Sequence, residues 1–212
     1  MERKVKFEIG EHYHIFSRGV EKRKIFLKSG DYERFLALVY ILNQKENFRV
    51  SSFLDGKQND IEDIYKQDRS EKLVSIISYS LMPNHFHFFI QETTEGGISK
   101  FMGKLLTAYS MYFNIKYDRS GPLFVRPFRS VHVGKDNQFN FLFQYINCNP
   151  LELFDKSWEK DGISNKVKAK EFMLKYRYSS FQDLLGIERI ESKIIDKVNL
   201  PDSARGALAE LF

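Results

Sequence analysis

One cysteine, one tryptophan and five prolines stand among the 212 residues of this chain. A single thiol, Cys148, excludes an internal disulfide and any zinc site built from several cysteines. No apolar run approaches the roughly 18 residues that a membrane-spanning helix needs. The stretch from Met1 to Gly10 is charged and lacks the apolar core of a signal peptide. No G-x-x-x-x-G-K-[ST] run is present to cradle a nucleoside triphosphate, and no tract is repetitive. With 42% apolar and 29% charged residues, the composition is that of one well-buried domain with short appendages, expected in the cytoplasm.

What the chain does have is positive charge and aromatic rings. Its net charge is +5 and its pI is near 9.1, which suits a polyanionic partner without demonstrating one. Twenty Phe and eleven Tyr exceed what most chains of this size carry; most must be core, and a few beside basic residues are candidates to stack on unpaired bases.

Periodicity predicts the elements. Phe7 to Gly19 reads as a strand, with His12, His14 and Phe16 on one face. A helix follows from Asp31 to about Gln44, capped by Asp31 and striped by Phe35, Leu38, Val39 and Leu42. Residues 55–71 are polar and read as an insert away from the core. Two strands, Leu73 to Leu81 and His85 to Gln91, flank a turn at Met82-Pro83-Asn84. A long amphipathic helix runs from Ile98 to Tyr117 and is broken by Ser120-Gly121-Pro122. A strand around Leu123 to Val133 comes next, then a helix from Asp136 that ends by Asn149, because Pro150 disfavours helical geometry in the residue before it. The order β-α-β-β-α-β-α predicts an α+β domain over residues 1–150: a ferredoxin-like antiparallel sheet with helices packed against one face. Residues 151–212 read as an irregular, partly helical tail.

Two His-x-His pairs lie in predicted strands. Residues i and i+2 share a strand face, so His85 and His87 emerge side by side while Phe86 enters the other side. Two imidazoles can hold a divalent metal given a third ligand. A bare His-x-His is more often structural than catalytic. Context separates this pair from His12-Tyr13-His14, since LMPNHFHFFIQE sets it directly after a Pro-Asn turn at the start of an apolar strand. Asn149 offers an amide oxygen, and it follows Tyr145 by four residues, so phenol and amide share a helical face. Among eleven tyrosines, Tyr145 on its own reads first as a core aromatic.

Taken together, HYHIFSRGVEKRKIF, MPNHFHFFI, FMGKLLTAYSMYFNIKYDRSGPLFVRPFRS, FQYINCNPLE and YRYSSF resemble the REP-associated branch of the single-tyrosine HUH transposases, in the family's order from His12 to Phe181. The resemblance implies that His85 and His87 are the paired metal ligands, Tyr145 the nucleophile and Asn149 the third ligand. It implies cleavage and rejoining of single-stranded DNA through a 5′-phosphotyrosine, in DNA transposition or a domesticated equivalent, with Mg2+ or Mn2+ as cofactor. Zinc also suits two imidazoles and an amide. Single-stranded or hairpin DNA is the implied partner, and so is a homodimer, because relatives include dimers that exchange the tyrosine helix as well as monomers. His12 and His14 match no ligand of the family and read as structural, or as surface residues near the DNA path. Val125-Arg126-Pro127-Phe128 departs from the family's Gln-Gly-Arg-Phe.

For the DNA path, Lys100, Lys104, Arg119, Arg126 and Arg129 are the expected phosphate contacts, with Phe124 or Phe128 for stacking. Two other classes compete with the transposase: a non-catalytic nucleic-acid-binding protein that keeps the fold, and a metal-dependent hydrolase that uses water as its nucleophile.

Overall fold

The computed structural model describes residues 6–55 and 59–197. Four strands, β1 (His12–Arg18), β2 (Val74–Met82), β3 (His85–Glu92) and β4 (Arg129–Val133), form one antiparallel sheet in the order β2-β3-β1-β4. Among the described residues seven α-helices accompany it: α1 (Ser29–Leu42), α2 (Val50–Asp55), α3 (Gly97–Lys116), α4 (Asp136–Cys148), α5 (Trp158–Asp161), α6 (Lys166–Lys175) and α7 (Phe181–Leu184). The order and pairing are those of the expected ferredoxin-like α+β domain.

Alternation along β3 divides the core. Phe86, Phe88 and Ile90 turn to one face and pack with Tyr13, Ile15, Phe35 from α1 and Phe101 and Tyr109 from α3. Phe89 turns to the other face and joins Phe143 and Ile146 from α4 with Met173 and Phe181 from the C-terminal segment. Helices therefore cover both faces, where the sequence predicted one. β2 is buried along its whole length and β3 along most of its own, with Ile77 and Phe89 giving the second face apolar side chains, so neither face stands out as the solvated side. Truncating a fully buried ring such as Phe88 should cost about 3–5 kcal/mol.

Polar side chains fix the ends. Asp31 sits inside the first turn of α1, two residues after its start, and its Oδ2 accepts from the backbone N–H of Leu27 (2.8 Å) and Lys28 (3.0 Å). Lys116 Nζ (2.6 Å), Tyr112 Oη (3.0 Å) and Tyr117 Oη (2.7 Å) donate to the same buried carboxylate and tie α3 to α1. Buried Glu92, at the end of β3, accepts from the N–H groups of Gly97 and Ile98 and so caps α3.

The segment predicted to lie away from the core does not all do so. A 3-10 turn over Ile61–Lys66 buries Ile64 and Tyr65 against α1. Together with a second 3-10 turn, Ile190–Ile194, it covers the outer side of α1, which is why Phe35 to Leu42 are all buried instead of a stripe. Residues 176–181 run beside β2: Leu81 N–H donates to Tyr178 O (2.8 Å) and Ser180 N–H to Tyr79 O (2.9 Å). That pairing covers a sheet edge which would otherwise expose unpaired backbone groups.

Candidate functional site

The site lies on the α4 face of the sheet, around the start of β3. The chain enters β3 through the two-residue turn Pro83-Asn84, with Met82 opposite His85 and Ser80 opposite His87. On the other side, β1 places Arg18 opposite His85 and Phe16 opposite His87. Gly19 then makes a close approach that no other residue permits: a Cβ there would stand 2.3 Å from the carbonyl oxygen of Arg23. Its N–H donates to Asn84 O (2.9 Å), which anchors the turn before the histidines.

His85 and His87 stand ring against ring, centroids 5.0 Å apart and nearly perpendicular. Each has its Nδ1 engaged. His85 Nδ1 is 2.7 Å from Asn84 Oδ1, and His87 Nδ1 is 2.8 Å from His14 Nε2. Among the described residues neither Nε2 atom has a protein hydrogen-bond partner. Burial pushes the imidazole of His85 down to about 4, with Arg18 adding to the effect, and holds His87 well below the ordinary range, with His14 and His85 adding to it. Both are neutral at physiological pH, as metal ligation requires.

Helix α4 presents Tyr145 to this pair. Its ring meets that of His87 edge to face at 5.7 Å and that of His14 at 6.3 Å. Burial raises the phenol above its usual range, Glu159 and Glu152 raise it further, and a hydrogen bond with the Asn149 side chain opposes them. One turn on, Asn149 is buried, and its Oδ1 has no hydrogen-bond partner. A buried amide oxygen without a partner costs about 1–3 kcal/mol, and here it follows the phenol on the same helical face. Between the two, Asn147 anchors the helix by accepting from Ser180 Oγ (2.6 Å).

A cleft of about 520 Å³ is lined by His85, His87 and Tyr145 together with Arg18, Lys22 and Arg129. These three cations are exposed and, among the described residues, carry no ion pair. Glu152 also lines the cleft. Among the described residues no group of three or more His, Cys, Asp or Glu is gathered as a metal site. A cation on the histidine pair therefore needs a ligand of another kind, and the unpartnered Oδ1 of Asn149 fits that requirement.

The other expected DNA contacts are placed differently. Arg129 lines the cleft and Arg126 is exposed beside it in sequence. Lys100 and Lys104 are on α3, which packs on the opposite face of the sheet. Lys104 Nζ is occupied, donating to the carbonyl oxygens of Gln44 (2.9 Å) and Glu46 (2.6 Å) past the end of α1. Arg119 donates to Asn114 Oδ1 (2.6 Å). Phe124 and Phe128 are buried in the α1–α3 core and are not free to stack on bases. Nor is His14 a surface residue; its ring packs on Phe16 and on His87. Arg18 and Lys22, which line the cleft, were not among the expected contacts, and His14, expected to be structural or at the surface, touches His87. The signal for the first two was their position in the few residues around the end of β1, which the sheet order brings beside β3.

The fold is an α+β domain whose four-stranded antiparallel sheet carries paired imidazoles on a central strand under a tyrosine-bearing helix. The chain belongs to the family described as Transposase IS200 like, whose profile matches residues 10–149, from the start of β1 to Asn149. No curated protein sequence matches it. Among solved structures, it is similar to the REP-associated tyrosine transposase bound to a REP hairpin, with a TM-score of 0.51 and 11% identity over 96% of each chain. At that identity the likeness shows the fold. No helix among the described residues is long and apolar enough to cross a membrane.

Proposed function

We propose that the protein cleaves and rejoins single-stranded DNA, with Tyr145 as nucleophile and His85, His87 and Asn149 as ligands of a divalent cation, Mg2+ or Mn2+. The observation that carries this reading is the convergence on one cleft of a histidine pair with both Nδ1 atoms engaged and the Tyr145 phenol, with an unpartnered amide oxygen four residues on, at the end of α4. Family membership supports the transposase class, and the hairpin bound by the solved relative supports a folded single strand as substrate.

A cation held there would polarise the scissile phosphate and offset its charge as the nucleophile approaches. Arg18, Lys22 and Arg129 would bind flanking phosphates and fix the strand's register. The Tyr145 phenol gives up its proton as its oxygen attacks phosphorus to form a 5′-phosphotyrosine; the bond from phosphorus to the 3′-oxygen breaks, and that oxygen takes up a proton and leaves as a hydroxyl, so no net proton is released. A phenol has an ordinary pKa of about 10, and burial raises Tyr145 further. The hydrogen bond from Asn149 works in the opposite sense and favours the phenolate. Because the phosphotyrosine conserves the phosphodiester bond energy, attack by another 3′-hydroxyl rejoins DNA without a nucleotide cofactor.

Incubating a labelled single-stranded hairpin with the protein and Mn2+, followed by denaturing electrophoresis, tests the reading. A covalent protein–DNA adduct is expected. Binding without an adduct would favour a non-catalytic role, and free 5′-phosphate ends would favour water as nucleophile.

A further inference from the structure

The second His-x-His pair of the chain has no part in the mechanism above, yet one member touches it. His14 lies on β1 opposite Phe89, and β1 pairs with β3, so its side chain reaches His87 diagonally across two strands. His14 Nε2 and His87 Nδ1 are 2.8 Å apart, and the two rings are stacked with centroids at 5.0 Å. Two nitrogens at that separation share one proton: one donates and the other accepts.

A ring that is to ligate a metal must be neutral, and two neutral rings in contact each carry a single N–H. Only two arrangements are then available. If His14 donates, the proton of His87 is on Nε2, and no lone pair remains for a metal. If His87 donates from Nδ1, its Nε2 lone pair is free. The neighbouring ligand shows the same device, since His85 Nδ1 faces an amide oxygen, Asn84 Oδ1, which can only accept. Its Nε2 is free by construction.

We propose that His14 is a positioning residue for His87: its Nε2 accepts the Nδ1–H of His87 and holds that imidazole in the tautomer and orientation whose Nε2 can bind a divalent cation. The proposal rests on the reading of His87 as a metal ligand. Outer-shell partners of this kind typically change metal affinity by about 10- to 100-fold when removed.

The test uses the full chain and two readouts, neither of which is activity. The first is the tautomer of His87 in metal-free protein, read from imidazole 15N shifts assigned with His87→Gln. A proton on Nδ1 is expected, and a proton on Nε2 in the parent protein overturns the proposal. The second is the affinity for Mn2+ alone. His14→Phe keeps a ring without an acceptor and should weaken Mn2+ binding about 10- to 100-fold, whereas His14→Gln offers an amide oxygen and should recover most of the loss. Unchanged affinity in folded His14→Phe, or equal losses in Phe and Gln variants, would show packing alone and overturn it. Should His14→Phe not fold, the parent tautomer and the Gln variant decide. A parent that binds no Mn2+ would instead sink the metal reading of the site, while the tautomer still decides whether His14 holds His87.

Discussion

Tyr145 and His87 meet edge to face, 5.7 Å between ring centroids, across the space between α4 and the sheet. Helix and strand are 58 residues apart in sequence (145 minus 87), and packing of Phe143 and Ile146 against Ile77 and Phe89 brings them together. The chemistry proposed for this chain depends on that meeting.

The histidine pair should divide cleanly from His12. His85→Ala or His87→Ala should abolish hairpin cleavage with the fold intact, as seen by circular dichroism. His12 packs beside Phe89 and Phe139, away from the proposed ligands, so His12→Ala should retain most cleavage. Equal loss of cleavage in all three, with folding unchanged, would contradict the assignment.

Asn149 carries an unsatisfied buried oxygen, a stability cost that the proposed cation would offset. Asn149→Leu should therefore leave the unfolding free energy within about 1 kcal/mol of the parent, since an apolar isostere removes the orphan. Cleavage should be lost and Mn2+ binding weakened. A variant that is stable and still cleaves normally would remove Asn149 from the site.

Cations at the cleft and cations on α3 should behave differently. Arg18→Ala and Arg129→Ala should each lower hairpin affinity, and each should reduce the slope of log K against log salt by about one, as expected when one arginine–phosphate pair is removed. Lys104→Ala should instead lower thermal stability, because its ammonium holds the carbonyl oxygens that follow α1, with little change in the salt slope. A salt titration of hairpin binding for the three variants, with a thermal melt of each, checks both statements.

These contrasts show what a sequence exposes and what it hides. Alternation in His85 to Gln91 and the helical spacing of Ile98 to Phe113 report local geometry, so the β-α-β-β-α-β order and its ferredoxin-like sheet were readable. Which face α4 covers was not, since β2 is buried along its whole length. Lysine at a helix surface looks the same whether it faces water or, as Lys104 does, carbonyl groups 60 residues away. Phe124 and Phe128 sit among arginines in sequence but fold inward. The His14–His87 hydrogen bond spans 73 residues and depends on strand register, which periodicity does not report. Tyr145 and Asn149 could be paired from the sequence because an i, i+4 spacing along a helix needs no tertiary knowledge.

Asp31 ties α1 to α3 through a buried carboxylate. Burial works to raise its carboxyl pKa, but hydrogen bonds from Lys116, Tyr117 and the backbone at Leu27 and Lys28 outweigh burial, and the net shift is downward from 3.8. A depressed carboxylate contributes stability that is fully present above its unfolded value and is lost as pH falls through its folded value. Asp31→Asn should cost about 3 kcal/mol near neutral pH, and the gap to the parent should narrow below about pH 4. Urea unfolding across that range measures it; a gap that is constant with pH would show that the carboxylate's charge is not what stabilises α1 against α3.

The most direct test of the central claim is the residue that carries the DNA. The hairpin adduct formed with Mn2+ should be trapped, digested and mapped by mass spectrometry, alongside Tyr145→Phe, which keeps the ring and removes one oxygen. The account predicts that the phosphotyrosyl peptide contains Tyr145 and that Tyr145→Phe binds hairpin and Mn2+ like the parent but forms no adduct. A phosphotyrosyl peptide centred on another tyrosine, or an undiminished adduct in Tyr145→Phe, would contradict it.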